Sequence, residues 1–124
     1  MQDVQTREDL HLIMRNFYVK LLNEPEINFI FTDVAKIDLE PHLVDLVNFW
    51  EQILFNKESY QKNVLQIHLD INSKLNFTQS HFSIWLKYFN LSIEENFIGQ
   101  NAENMKTRAL SIATVMQIKM ANKQ

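Results

Sequence analysis

The fold class of this chain is decided by residues 78–97, TQSHFSIWLKYFNLSIEENF. Large apolar side chains recur there every three or four residues, which is the period of a helix with one buried face. Thr78 can cap the first turn with its hydroxyl, and Gly99 lies where glycine usually terminates a helix. We therefore predict one helix over this stretch, ended by Gly99. Its inner face would consist of Phe82, Trp85, Leu86, Phe89, Ile93 and Phe97.

The same spacing predicts an earlier helix from about Arg7 to Leu22. Thr6 and Asp9 stand three residues apart at its start, in the pattern of a capping box. We expect this helix to end before Pro25, because the residue before a proline is pushed out of the helical region of backbone conformation. The inner stripe of this helix would be formed by Leu10, Ile13, Met14, Phe17, Tyr18 and Leu21.

Two more long helices complete the prediction. One is capped by Asp38 and extends to about Phe55, and the last begins at Asn101, while residues 64–69 form a brief helix or turn. The chain has one Gly and two Pro, and it contains no Asn-Gly or Asp-Gly pair. Tight β-hairpins therefore have no support, and the sequence predicts an all-α fold.

Composition limits the class of protein. The 124 residues suffice for one domain, 1–124, with 46% hydrophobic and 22% charged residues. The formal net charge of −3 offers no attraction to nucleic acid or to an anionic membrane. The absence of cysteine excludes disulfides, thiolate catalysis, iron–sulfur clusters and covalent haem attachment. Without an apolar run of spanning length or a signal-peptide pattern, we expect a soluble cytoplasmic protein.

Four side chains with a polar group lie within apolar stripes on separate predicted segments: Tyr18, His42, His68 and Trp85. A neutral imidazole can bind iron, and a phenol or an indole N–H can donate to a small ligand. Each residue alone is more often part of a core than of a site. Whether they converge on one pocket is the question that the sequence raises.

Other metal chemistry fits the spacing poorly. A di-iron bundle needs two Glu-x-x-His pairs, and only Glu8 with His11 forms one. No His-x-x-x-His pair supports a zinc hydrolase, and neither a phosphate loop nor a nucleophile elbow is present. The remaining possibility is an iron site with one histidine ligand, in a pocket between helices that is lined by aromatic side chains.

Several sequence pieces, taken in order and spacing, resemble the truncated haemoglobins and within them the third group. These pieces are Phe17-Tyr18, Ile30-Phe31, His42-Leu43, Phe49-Trp50, Tyr60, His68-Leu69, residues 81–86 and Phe97. The resemblance implies a two-over-two helical sandwich around a non-covalent haem b. It also implies His68 as the proximal iron ligand, with His81 as the nearest competitor.

The resemblance assigns the other site residues as well. It implies a distal pocket formed by Tyr18, His42 and Trp85, and haem packing by Phe31 and Phe49. Two positions depart from the family. Residues 61–64 replace its usual glycine and proline after the tyrosine, and Ile84 replaces its usual basic residue before the tryptophan.

The implied function is reversible binding of oxygen and other diatomics, including nitric oxide and carbon monoxide. Two uses remain open. One is redox chemistry, such as nitric oxide dioxygenation or a peroxidase-like reaction, supported by an external reductase. The other is oxygen storage or gas sensing without turnover. A third hypothesis keeps the fold without haem and makes the histidines structural.

Overall fold

A computed structural model describes residues 1–30, 32, 38–55 and 78–122, with side chains described as far as Ile118. Within these ranges the chain forms long α-helices and no strand, apart from one isolated parallel bridge between Gln2 and Phe97. The all-α prediction is therefore confirmed. The helices are α1 (Arg7–Leu22), α2 (Leu39–Phe55), α3 (Gln79–Glu94) and α4 (Gln100–Asn122).

The bounds of α1 agree with the prediction because its signals are local. The amide of Asp9 donates to Oγ1 of Thr6 at 3.2 Å, and the amide of Thr6 donates to Oδ2 of Asp9 at 3.1 Å. This reciprocal capping box pairs two amides that a helix start leaves without partners. At the other end, the Asn23 side-chain amide donates to the carbonyl of Val19 at 2.8 Å, just before the segment that contains Pro25.

The four helices close around one core. α1 packs against α2 and α3, and α4 packs against α3 and, less extensively, α2. The core contains the inner stripes of all four helices, with Phe17, Leu43, Phe89 and Met105 among its most buried side chains. No helix in the described part of the chain is long and apolar enough to cross a membrane.

The predicted end of α3 at Gly99 is wrong. The helix ends at Glu94, with Glu95 as its C-cap, although apolar spacing continues to Phe97. The chain leaves the helix because the amide of Ile98 donates to the carbonyl of Gln2 at 3.0 Å. Gly99 instead precedes α4, which begins at Gln100, one residue earlier than predicted.

The N-terminal segment caps α4. Oδ2 of Asp3 accepts the amide of Asn101 at 2.8 Å, and Oδ1 accepts the amide of Ala102 at 2.9 Å. Burial opposes ionisation of this carboxyl, but the backbone N–H donors outweigh it and hold the pKa of Asp3 below its usual value. Gly99 has φ +148°, and its backbone lies directly against the Asp3 side chain.

Candidate functional site

Tyr18 and His42 meet where α1 packs against α2. Tyr18 lies on the buried face of α1, and its side chain is 2% exposed, while His42 is half-buried near the start of α2. The Tyr18 hydroxyl lies 2.6 Å from Nε2 of His42, within hydrogen-bond distance. The two rings stand edge to face, with centroids 5.1 Å apart and planes at 82°. The geometry therefore joins two of the predicted distal residues into a pair.

Burial sets the protonation state of Tyr18. Loss of water raises the pKa of the phenol well above its ordinary value, so the hydroxyl keeps its proton. When the imidazole carries its own proton on Nδ1, Nε2 accepts the hydroxyl hydrogen. The sequence does not predict this bond, although the resemblance places both residues in the distal pocket. Nothing in local spacing links side chains 24 residues apart on different helices.

Trp85 lies on the buried face of α3, 8% exposed. Its ring stands edge-on to Phe17 at 5.6 Å and stacks on Phe89 at 5.6 Å, with an angle of 11° between the planes. Phe17 also meets Tyr18 edge-on at 5.3 Å. One buried phenylalanine thus lies between the two predicted donors, Tyr18 and Trp85.

All four helices contribute to one apolar pocket. Its cavity has a volume of about 20 Å³, roughly the space of one water molecule. Phe49 is half-buried in this wall and stands edge-on to Trp50 at 5.3 Å. The O–H and N–H groups among the side chains of the wall are the Tyr18 hydroxyl and the indole N–H groups of Trp50 and Trp85. The pocket is lined by Met14, Phe17, Tyr18, Leu46, Phe49, Trp50, Trp85, Phe89 and Ile112.

Six of the nine lining residues were not predicted as site residues, among them the aromatic residues Phe17, Trp50 and Phe89. Helical periodicity places Phe17 and Phe89 in the inner stripes of α1 and α3. All three lie close in sequence to a predicted site residue, since Phe17 precedes Tyr18, Trp50 follows Phe49 and Phe89 comes four residues after Trp85. Trp50 and Phe89 also contact each other, with centroids 5.3 Å apart. Helical spacing from Trp85 therefore indicates Phe89, whereas Phe17 and Trp50 are only sequence neighbours of predicted residues.

The described residues fit the haem that the resemblance implies. A porphyrin needs a cleft lined by apolar and aromatic side chains, with few polar groups near its ligand position. The pocket wall has this composition. His68 and Phe31 lie outside the described residues, so their predicted roles stay predictions. Within the described part, no cluster of three or more His, Cys, Asp or Glu side chains could hold a bare metal ion.

His81 is engaged in capping α3. Its Nδ1 accepts the amide of Thr78 at 3.0 Å, while its own amide donates to Oγ1 of Thr78 at 3.2 Å. The imidazole is half-buried and stands edge-on to Phe29, with centroids 6.1 Å apart. A histidine that holds a helix start in this way is a weaker competitor for an iron than its sequence position alone indicates.

Comparison with known proteins bears on the fold of the whole chain. No family model matches the chain. It is 27% identical over 114 residues to the group 3 truncated hemoglobin ctb of Campylobacter jejuni subsp. jejuni serotype O:2, covering 90% of this chain and 87% of the relative. A crystal structure of group III truncated hemoglobin from Campylobacter jejuni matches with a TM-score of 0.83 and 27% identity. That match covers 97% of this chain and 95% of the other. The chain therefore has the truncated globin fold, and in sequence and structure it resembles the group III truncated haemoglobins.

Proposed function

We propose that this chain is a haem-binding truncated haemoglobin that reversibly binds oxygen and other diatomics. The observation that carries the proposal is a pocket wall of apolar and aromatic side chains that includes both Tyr18 and Trp85. The similarity to the Campylobacter jejuni protein, which is named a truncated hemoglobin, supports the same function. We assign the protein to the cytoplasm.

The proposed cofactor is haem b, held without a covalent bond because the chain has no cysteine. His68 would hold the iron from the proximal side, and Phe31 and Phe49 would pack against the porphyrin. When bound, the haem supplies a ferrous iron that binds a diatomic reversibly. The residues of the chain determine which diatomic stays and for how long.

The distal residues favour a ligand that carries partial negative charge. Oxygen gains such charge on binding and carbon monoxide gains less, so O–H and N–H donors discriminate between them. Tyr18 is a neutral phenol at physiological pH, as a tyrosine of ordinary pKa is, and burial raises its pKa further. It can donate to the ligand only when its hydrogen is turned away from His42. His42 therefore competes with the ligand for the same donor.

We propose a redox role in nitric oxide and oxygen chemistry, with electrons from an external reductase. The donor-rich pocket favours this role because donors hold oxygen long enough for a second reactant to arrive. Oxygen storage or gas sensing is the second candidate, and it needs the same pocket without turnover.

Absorption spectroscopy tests the cofactor, and nitric oxide consumption tests the role. The purified protein saturated with haem b should give ferric, ferrous and carbon monoxide spectra of a histidine-ligated haem. Oxygenated protein mixed with nitric oxide should then form nitrate, repeatedly when a reductant is present. A protein that takes up no haem would refute the proposal. Haem binding without repeated nitrate formation would favour storage or sensing.

A further inference from the structure

We propose that Tyr18 and His42 form a proton-coupled electron donor to the haem, so that oxidation of the phenol and transfer of its proton to Nε2 occur together. The inference rests on the proposed function, since it needs a bound haem and an oxidising diatomic substrate. It adds a defined step for this pair: Tyr18 supplies one electron, and His42 receives the proton.

The proton path already exists in the structure. The oxygen of Tyr18 and Nε2 of His42 are 2.6 Å apart, which is at the short end of hydrogen bonds. With the imidazole proton on Nδ1, the transfer moves a hydrogen along one bond and requires no rearrangement of heavy atoms. Both side chains are fixed by helices that pack directly on each other, α1 and α2.

Burial makes the coupling necessary. Electron loss without proton loss would leave a positive ring in the apolar surroundings of Tyr18, which is 2% exposed. Proton loss without electron loss is opposed as well, since burial raises the pKa of the phenol. Moving both together leaves a neutral phenoxyl radical. The positive charge then lies on His42, which is half-buried and reaches solvent.

Hydrogen peroxide is the oxidant that we name for this step. Each peroxide takes two electrons and two protons and becomes two molecules of water. One electron comes from the ring of Tyr18 and the other from the haem. The O–H bond of Tyr18 breaks, an N–H bond forms at Nε2 of His42, and the protons that peroxide consumes come from solvent. Two electrons from the reductase then restore the starting state: one returns to the haem, and the other, with the proton from Nε2, restores the phenol.

Tyr88 provides a matched comparison. It is a second tyrosine with a proton acceptor, because its hydroxyl donates to Oε1 of Glu24 at 2.9 Å. It is half-buried on α3 and does not line the pocket. A hydrogen-bonded phenol alone is therefore not the distinguishing feature of Tyr18. The distinguishing feature is a phenol with an acceptor in the wall of the proposed haem pocket.

The experiment is electron paramagnetic resonance of the ferric haem protein, freeze-quenched after one equivalent of hydrogen peroxide. We expect a tyrosyl radical that Tyr18→Phe abolishes and Tyr88→Phe retains. His42→Gln keeps a hydrogen-bond acceptor but no base, so it should also abolish the signal. The chain has three tyrosines, so the double variant Tyr60→Phe, Tyr88→Phe leaves only Tyr18 and should retain the full signal.

Two controls separate this inference from the proposed function. The visible spectrum before mixing reports whether haem is bound, and its change after mixing reports whether peroxide has reacted. A protein without haem would overturn the proposed function. A haem protein that reacts with peroxide but shows an undiminished radical in Tyr18→Phe or in His42→Gln would overturn this inference alone. A loss of signal in the double variant would overturn it too, even if Tyr18→Phe failed to fold.

Discussion

The hydroxyl of Tyr18 is hydrogen-bonded to Nε2 of His42 at 2.6 Å, so the phenol that we propose as a distal donor has a protein partner in the structure. A ligand that uses the Tyr18 hydrogen must first displace the imidazole. The bond therefore sets a barrier to ligand access that depends on His42.

His42→Leu should remove this barrier. A neutral hydrogen bond contributes about 0.5–1.5 kcal/mol, so carbon monoxide association should accelerate about two- to tenfold. Flash photolysis of the carbon monoxide complex measures this rate. The control His42→Gln keeps an acceptor near Tyr18 and should stay close to the wild-type rate. Unchanged association with much faster oxygen loss would show that His42 is instead a primary donor to the ligand.

Tyr18→Phe should speed oxygen dissociation more than carbon monoxide dissociation. The change removes one hydroxyl and little volume, so the packing against Phe17 should survive. A hydrogen bond to a charged acceptor contributes about 1.5–3 kcal/mol, which corresponds to about 10- to 150-fold in the oxygen off-rate. Stopped-flow displacement measures both rates, with Tyr88→Phe as the control. Equal effects on both gases would indicate that Tyr18 acts sterically.

His68→Ala should abolish normal haem binding, and added imidazole should partly restore it. The competitor His81 holds the first turn of α3 through Nδ1, so His81→Ala should lower helix stability and leave the haem spectrum unchanged. Haem titration followed in the Soret region compares the two variants. A histidine-ligated spectrum retained in His68→Ala and lost in His81→Ala would reverse the assignment.

Local signals in the sequence predicted much of this fold. The capping box of Thr6 and Asp9 involves neighbouring residues, so both bounds of α1 could be predicted. The end of α3 could not, because the chain leaves the helix to pair Ile98 with Gln2, nearly 100 residues away in sequence. Apolar spacing alone predicts that the helix continues to Phe97.

The same distinction holds at the site. Helical faces and the family resemblance predicted Tyr18 and Trp85, and the structure places both in one pocket wall. The bond between Tyr18 and His42 depends on how α1 packs on α2, which periodicity does not specify. For the same reason, the sequence assigned Phe17 and Phe89 to inner stripes of the core, although they line the pocket as well.

Gly99→Ala should destabilise the protein. The residue has φ +148°, which costs an L-residue about 1–3 kcal/mol, and a Cβ there would lie 2.7 Å from Oδ2 of Asp3. Urea unfolding of the haem-loaded protein measures the loss, with the exposed Asn96→Ala as control. In an Asp3→Gly background the new Cβ no longer meets the Asp3 side chain. The losses in free energy of unfolding from the two changes should therefore be less than additive. Strict additivity would show that the cost arises from backbone conformation alone.

Asp3→Asn should make stability less dependent on pH, because the Asp3 carboxylate caps α4. Although burial opposes its ionisation, amide donors such as those of Asn101 and Ala102 hold its pKa below the usual value. Because the pKa of Asp3 is lower in the folded state, its carboxylate stabilises the protein at pH values above the unfolded-state pKa of about 3.9. This stabilisation is lost as pH falls through the folded-state pKa. At neutral pH the variant should lose about 0.5–2 kcal/mol, as other N-cap replacements do. Urea unfolding of both proteins from pH 7 down to pH 3 should show this difference shrinking below about pH 4. A difference that stays constant over the whole range would mean that the Asp3 side chain stabilises α4 without its charge.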